Sequence, residues 1–248
     1  MYNLILRTQE LIRDQESFCD WWIKEEKFEL NPENTAILIV DMWDRHWSKG
    51  ATARCAAMAP KMDSAIRRAR DEGSLIVHAP SDTMDFYKDY AARKRLLYSP
   101  VLDHIPAKKV NVYPLPVDAS DGGSDTVQDD PVNTIVWTRQ TEEIFIDEEK
   151  DIIGGENDGD LIYSYLMSQN INTIIYMGVH TNMCILDRPF SIKAMLRRGM
   201  NVMLCRDMTD AMYNPERPPY VSHEEGTRLI IEHIEKFYCP TILSEQIA

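Results

Sequence analysis

Six short runs of apolar residues recur along the chain, separated by longer polar or mixed segments. Most of them are rich in Ile and Val and are apolar at consecutive positions, which is typical of strands that are covered on both faces. The pattern predicts six strands, at 35–41, 73–80, 133–139, 172–179, 201–207 and 239–244.

Helical patterns occupy the segments between these runs, and several end in Gly or Asn just before the next run. Alternating strands and helices indicate right-handed crossovers and a mainly parallel sheet with helices on both faces. The fold class is therefore α/β, a three-layer α/β/α domain around a six-stranded, mainly parallel sheet. The predicted helices lie at 58–72, 85–98, 158–170, 183–198 and 221–237.

Two segments fall outside this alternation. Residues 1–30 are predicted to form an N-terminal helical extension packed outside the sheet, within a single domain that spans residues 1–248. Residues 105–131 hold four prolines, two glycines and many acidic residues, so a long loop is expected there. Long loops in compact domains are often functional, and a flexible spacer is the equally weighted alternative.

Composition and charge narrow the partners. The 248 residues carry a formal net charge of −13, which argues against a nucleic-acid or anionic-membrane partner. No run approaches the roughly 20 apolar residues of a membrane helix, and the first apolar patch is followed at once by charges, unlike a signal peptide. We therefore expect a cytoplasmic protein. The five cysteines are dispersed without a CxxC pair, which favours neither a disulfide framework nor a zinc site.

Three chemically useful side chains follow strands that are distant in the sequence. Asp41 ends the first predicted strand, Arg139 ends the third, and Cys184 lies shortly after the fourth. Because ligands bind beyond the carboxyl ends of the strands in open α/β sheets, an acid, a base and a thiol are expected at one edge. Separately, each has a structural alternative, namely a helix cap, half of an ion pair and an inert small hydrophobe.

Together, these residues suit nucleophilic catalysis. A thiol at the start of the 183–198 helix is placed where the thiolate is favoured, and a neighbouring carboxylate can accept its proton. Backbone amides in the turn "HTNMC" can stabilise the oxyanion of a tetrahedral intermediate. Other catalytic motifs are missing, because "DMWD" is not a phosphoaspartyl motif and there is no GxSxG, Walker A or GxGxxG sequence.

At residues 34–210 the sequence resembles the isochorismatase-like cysteine hydrolases. The resemblance rests on "TAILIVDMWDRHW", on "GVHTNMCI" with its G-V-x-T-N-x-C pattern, and on "NVMLCRDMTDA". It implies that Asp41 is the general base and Cys184 the nucleophile. It also implies a cis peptide bond between Val179 and His180, which would direct the amides of His180 and Cys184 at the oxyanion.

The resemblance fails at the lysine of the family's Asp-Lys-Cys triad. The family pattern Lys-x-x-x-Ser-x-Phe is here "RQTEEIF", with Arg139 in the lysine position. On this alignment Arg139 lies beside Asp41, keeps that carboxyl ionised and holds an acidic substrate through two parallel hydrogen bonds. Two alternatives stay open. Arg139 forms a structural ion pair with a nearby acid, or Lys150 enters the site from the following loop.

Other family features guide the expected surroundings of the site. The nicotinamidases' Asp-x-His metal ligands are not matched, because His78 and Asp82 in "HAPSDTMDFY" have a different spacing. We therefore predict no metal and no cofactor. Trp43, His46, His180 and Asn182 are the candidates for lining the substrate pocket, and a structural role is the alternative for each histidine. Pro189 is expected to break the helix after Cys184, which places Asp187 and Arg188 near a subunit boundary or the site.

The leading hypothesis is a hydrolase that cleaves a C–N bond, or else a vinyl ether, of a small molecule through a thioester on Cys184. The alternative is a family member that has lost turnover and binds a small molecule or a protein. The missing lysine favours the alternative, whereas Asp41 and Cys184 favour the enzyme. We expect a homo-oligomer, since the family commonly forms dimers or tetramers.

Overall fold

Eight strands form one mixed sheet in the computed structural model, which describes residues 1–126 and 134–247. The strands are β1 (Tyr2–Arg13), β2 (Cys19–Leu30), β3 (Thr35–Val40), β4 (Leu75–Ala79), β5 (Ile152–Ile153), β6 (Thr173–Val179), β7 (Asn201–Asp210) and β8 (Thr241–Ile242). Their order across the sheet is β2-β1-β8-β7-β6-β3-β4-β5. The strands from β8 to β5 pair in parallel, and β1 joins β8 and β2 in antiparallel fashion.

Helices cover both faces of this sheet. They are α1 (Lys49–Asp71), α2 (Met84–Tyr87), α3 (Ala91–Leu97), α4 (Gly159–Ser168), α5 (Cys184–Asp187), α6 (Ile192–Arg197) and α7 (His223–Phe237). Serine caps begin three of them, because the side chains of Ser48, Ser191 and Ser222 accept hydrogen bonds from amides in the first turns of α1, α6 and α7. Among the described residues, no helix is both long enough and apolar enough to cross a bilayer.

The central strand β3 shows how the layers form. Ala36, Leu38 and Val40 pack into one apolar core with residues of the helices from α3 to α7, whereas Ile37 and Ile39 pack into the other core with α1. Alternate side chains of a strand point to opposite faces, so a fully apolar strand supplies both cores. The predicted three-layer α/β/α fold with a mainly parallel sheet is confirmed, with eight strands instead of six.

The predicted N-terminal helix is wrong, because residues 1–30 form the antiparallel hairpin β1–β2. The register runs from the pair Tyr2 and Leu30 to the pair Arg13 and Cys19. The base of the hairpin is anchored in the core, where Tyr2 and Leu30 are buried and the Tyr2 hydroxyl lies 2.8 Å from Ser74 Oγ. Good helix formers such as Glu, Gln, Leu and Arg fill this segment, yet cross-strand pairing over twelve residues outweighs their local preference.

The third predicted strand, at 133–139, is also wrong where the structure describes it. Residues 134–139 contain no strand, and residue 133 lies outside the described part of the chain. This segment runs beside residues 42–44 instead, with a single antiparallel bridge between Trp43 and Gln140. The sheet position beyond β4 is taken by the short strand β5, which sequence reasoning missed.

Two further predictions are refined. The predicted helix 183–198 divides into α5 and α6 around Pro189, as expected of a residue that cannot continue a helix. The predicted loop 105–131 contains neither helix nor strand over 105–126, and its remaining residues lie outside the described ranges. Its described end is fastened by Asp125, which receives two hydrogen bonds from the Arg54 guanidinium, one of them 2.7 Å long.

Candidate active site

Asp41 lies at the carboxyl end of β3 and is fully buried. Its backbone has a φ of 48°, and its amide donates to the carbonyl of Ala79 at 3.1 Å. The carboxylate atom Oδ1 accepts a hydrogen bond of 2.8 Å from the Ser81 amide, while Oδ2 has no hydrogen bond with a described residue. Burial raises the pKa of Asp41, and the Arg188 guanidinium opposes this rise. The carboxyl is therefore suited to accept a proton.

Cys184 is brought over Asp41 by the turn that follows β6. Gly178 in β6 has a φ of +107°, and a Cβ at this position would lie 2.1 Å from the carbonyl oxygen of Val40. This close approach of β6 to β3 requires glycine. The amides of Met183 and Ile185 both donate to the carbonyl of His180, which folds the turn just ahead of α5. The peptide bond between Val179 and His180 is cis.

The Cys184 thiol is neutral at rest. Desolvation of the thiolate raises the pKa of Cys184, the Asp41 carboxyl raises it further, and Arg188 lowers it. The contact of the thiol with Asp41 also affects the pKa of that carboxyl. Two anions side by side would repel each other, so one proton is shared between the thiol and the carboxyl.

Arg188 supplies the cation at this edge of the sheet. Its Nε atom lies 3.5 Å from Asp41 Oδ2, and its Nη2 atom lies 3.3 Å from Asp82 Oδ2. Arg188 follows Cys184 by four residues and caps the short helix α5, so the break before α6 places it beside the thiol. The sequence offered one signal for it, the interruption of the helix at Pro189.

Arg139 does not occupy the position that the alignment gave it. Its Nη2 atom lies 2.7 Å from Glu142 Oε1, and its guanidinium stands 5.4 Å from the centre of the Phe86 ring. The structural ion pair is therefore the arrangement found, and the expected place beside Asp41 is corrected to Arg188. Lys150 is also elsewhere, 62% exposed and 3.9 Å from Asp147. The sequence alignment failed because the segment after residue 133 does not form the expected strand.

A cavity of about 240 Å³ opens above these groups. Trp43 and Trp137 are stacked along it with ring centres 4.0 Å apart, and the ring of His46 is nearly parallel to that of Trp137. The Trp43 indole donates to the carbonyl of Ser81 at 3.0 Å, which fixes the stack to the turn below it. The cavity is lined by Trp43, His46, Trp47, Asp82, Ile135, Trp137, His180, Met183, Cys184, Arg188 and Met212.

Both histidines of the cavity are neutral. Burial lowers the pKa of His46 to about 4 and that of His180 to about 3. The Nδ1 atom of His46 accepts a hydrogen bond of 3.0 Å from the Ser48 amide, whereas Nε2 of His180 is buried without a hydrogen bond to a described residue. Trp43, His46 and His180 thus line the cavity as the sequence suggested, and Trp47, Trp137 and Met212 were missed.

Asn182, the remaining pocket candidate, has a different position. Its Nδ2 atom donates to the carbonyl of Met212 at 2.8 Å, and its Oδ1 atom accepts from the Met212 amide at 2.9 Å. Both polar ends of the amide are therefore used by the backbone. Asn182 holds the chain segment that carries the Met212 wall and does not line the cavity itself.

Several polar atoms of the site are buried without a hydrogen-bond partner in the described chain. They include Asp41 Oδ2, Arg188 Nε and His180 Nε2. Unpaired buried polar atoms are destabilising, so a site that concentrates them is a candidate for binding a polar ligand. Within the described residues, no group of three or more His, Cys, Asp or Glu side chains is arranged to hold a metal ion. His78 is instead hydrogen-bonded to Gln140 and Asp151.

Comparison with solved structures finds the same fold among cysteine hydrolases. A cysteine hydrolase from Pseudomonas syringae pv. phaseolicola 1448A is similar over 89% of this chain and 95% of its own, with 18% identity and a TM-score of 0.57. An isochorismatase family protein from Burkholderia thailandensis is similar over 88% of this chain and 94% of its own, with 13% identity and a TM-score of 0.51. No protein-family model and no curated protein sequence matches the chain. The chain therefore has an isochorismatase-like fold, as its motifs suggested.

Proposed function

We propose that this protein is a cysteine hydrolase that cleaves a C–N bond of a small amide or carbamoyl compound. The observation that carries the proposal is the meeting of Asp41, Cys184 and Arg188 beside one small cavity, which Cys184 and Arg188 line. Asp41 Oδ2 and Arg188 Nε lie 3.5 Å apart and have no hydrogen bond with a described residue. A nucleophile, a buried base and a fixed positive charge are the groups that acyl transfer requires. The fold shared with known cysteine hydrolases supports the same class.

In the first step, Cys184 Sγ attacks the carbonyl carbon while Asp41 accepts the thiol proton. The carbonyl π electrons move to oxygen, and the backbone amides of His180 and Cys184 are the proposed donors to that oxyanion. When the intermediate collapses, the C–N bond breaks and Asp41 returns the proton to the leaving nitrogen. A thioester on Cys184 and a free amine or ammonia result.

In the second step, water attacks the thioester carbonyl as Asp41 accepts one of its protons. Collapse of this second intermediate breaks the C–S bond, and the proton on Asp41 returns to the sulfur. The carboxyl and the thiol share one proton before and after each cycle. Burial raises the pKa of Asp41 and that of Cys184, so each group holds a proton more tightly than it would in water.

Arg188 supplies the positive charge of the missing lysine but does not transfer a proton. A guanidinium stays charged at every physiological pH, so Arg188 cannot act as an acid or base. Its charge offsets the single negative charge that alternates between Asp41 and Cys184 during the cycle. The bond between Arg188 and Asp82 keeps the guanidinium in this position.

A panel of amides, ureas and carbamoyl compounds tests the proposal through release of amine or ammonia. Cys184→Ala should abolish release without changing the circular dichroism spectrum, because the substitution removes chemistry and little packing. Cys19→Ala is the matched control, since Cys19 is exposed on the hairpin and outside the cavity. Release by the Cys184→Ala variant at the wild-type rate would end the proposal.

A binding protein without turnover is the alternative, and alkylation of Cys184 distinguishes it from the hydrolase. The absence of the family lysine favours it, and it predicts a thiol at Cys184 that stays inert to alkylating reagents as the pH rises. The hydrolase predicts labelling of Cys184 that increases with pH. Cys19, at the surface, gives the reference rate in the same sample.

A further inference from the structure

Among the described residues, the single arginine that lines the cavity is neutralised by two carboxylates. Arg188 faces two carboxylates, Asp41 at 3.5 Å and Asp82 at 3.3 Å. Asp82 follows β4 in a turn with a φ of 61°, and its amide donates to the Glu156 carboxylate at 3.0 Å. Glu156 therefore adds a further acid next to Asp82. The guanidinium has no unmatched positive charge to offer a ligand.

No other lining residue of the described chain adds positive charge. His46 and His180 are neutral, because burial lowers the pKa of each to about 4 and about 3, respectively. Arg54, whose charge acts on His46 and His180, is itself paired with Asp125 at 2.7 Å and with Asp210 at 2.9 Å. With Arg188 positive, Asp82 negative and one negative charge shared by Asp41 and Cys184, the site carries a net negative charge wherever the shared proton lies.

The rest of the wall is mostly apolar, and its polar exception is the Trp137 Nε1 donor, which has no hydrogen bond with a described residue. Trp43 and Trp137 present stacked rings, and Trp47, Met183, Met212 and Ile135 supply the other apolar side chains. An ionised group that entered here would lose water without gaining a matching charge, which is strongly unfavourable. An apolar group would gain from the same burial.

From this geometry we propose that the site takes small uncharged carboxamides with an apolar acyl group and rejects compounds that carry an anionic group beside the scissile carbonyl. The Asp41–Arg188–Asp82 row sets this charge selection. The inference rests on the proposed function and replaces the acidic substrate expected from the sequence, since that expectation depended on Arg139 lying beside Asp41.

A matched pair of thiol reagents tests charge selection without a known substrate. Iodoacetamide and iodoacetate differ in one neutral or anionic group, and peptide mass spectrometry gives the alkylation rate at Cys184 for each. The ratio of the two rates is divided by the ratio measured with 2-mercaptoethanol, which removes the intrinsic difference between the reagents. We expect discrimination against iodoacetate of at least about tenfold at Cys184. The interaction energy of one unmatched charge with the site at this distance is several times the thermal energy RT.

Asp82→Asn identifies the residue that sets the selection. Removal of this carboxylate leaves part of the positive charge of Arg188 unpaired, so discrimination against iodoacetate should fall by roughly threefold or more. Asp89→Asn makes the same change of net charge at an 80% exposed side chain that pairs with Lys94, and should leave the ratio unchanged. If Asp82→Asn does not fold, the wild-type ratio alone decides.

The outcomes separate this inference from the proposed function. Equal normalised rates for the two reagents at Cys184 would overturn charge selection and leave the nucleophile intact. Faster normalised labelling by iodoacetate would show the opposite selection and also overturn it. A Cys184 that iodoacetamide does not label would overturn the hydrolase itself, and the inference with it.

Discussion

Replacing Arg188 by methionine tests whether this residue stands in for the family lysine. Methionine keeps an apolar stem of similar length and removes the guanidinium that faces Asp41 at 3.5 Å. The negative charge shared by Asp41 and Cys184 then loses its counter-charge. Arg188 lowers the pKa of Cys184, so its removal raises that pKa further and reduces the thiolate present at any given pH.

The size of the effect follows from the geometry. Two unit charges about 4 Å apart near a protein surface interact by about 4 kcal/mol. Arg188 is 26% exposed and also faces Asp82, so we take about half of this value for solvent screening and sharing. About 2 kcal/mol corresponds to roughly a 30-fold slower reaction of Cys184 at fixed pH.

The assay is the rate of iodoacetamide labelling at Cys184, followed by peptide mass spectrometry between about pH 6.5 and 9.5. The rate profile of Arg188→Met should move to higher pH, and Arg188→Lys should recover most of the loss because it keeps the charge. Arg197→Met is the matched control, since Arg197 is exposed and does not line the cavity. An Arg188→Met variant labelled at the wild-type rate would show that Arg188 has no role at the thiol.

Substitutions of Asp41, Arg139 and Gly178 and the pH dependence of Cys184 labelling give further tests. Asp41→Asn should lower turnover by about 100-fold or more. Burial raises the pKa of Asp41 above its ordinary value of 3.8, so its stabilising contribution is present at low pH and is lost as the pH rises through the raised pKa. The Tm of Asp41→Asn relative to wild type should therefore increase as the pH rises above 3.8, and a constant difference would contradict this. Arg139→Ala should leave Cys184 labelling unchanged and alter the free energy of unfolding by at most about 0.5 kcal/mol, and slower labelling would restore the sequence alignment. The labelling profile should show no inflection between pH 5 and 8 from His46 or His180, whose pKa values are about 4 and 3; such an inflection would indicate a protonated histidine at the site. Gly178→Ala should destabilise the fold by about 3 kcal/mol in urea unfolding, because the new Cβ clashes with backbone at a positive φ, and a wild-type midpoint would refute the tight crossing.

The central strands were predictable because burial leaves a direct record in the sequence. β3, β4, β6 and β7 lie within or across the runs read as strands, since parallel strands between two helix layers must be apolar at consecutive positions. The ends of β3 and β6 then gave Asp41 and Cys184. The position of both residues at one edge follows from parallel strand order alone.

The hairpin β1–β2 left no such record. Its distal half is exposed on both faces, with Trp22 60% and Leu11 55% accessible, so neither helical nor alternating burial is visible in the sequence. Among the described strands β2 pairs only with β1, and a short turn links the two. A segment rich in helix formers was therefore assigned to the wrong element.

Arg188 was not predictable as the cation because its role depends on distance in space. A linear alignment placed the lysine position at Arg139, after a strand that does not form in the described residues. The replacement comes from the break between α5 and α6, on a different element of the fold. One charge can be supplied from several elements around a cavity, so sequence position does not identify it.

Capture of the acyl-enzyme tests the proposed thioester on Cys184 directly. The wild-type protein is mixed with each amide of the panel, quenched in acid within the first turnover, and its intact mass and peptide map are measured. The proposed mechanism predicts an added acyl mass on the peptide that contains Cys184, present in Cys19→Ala and missing in Cys184→Ala. Turnover of an amide with no acyl mass on Cys184, and with turnover retained in Cys184→Ala, would contradict it.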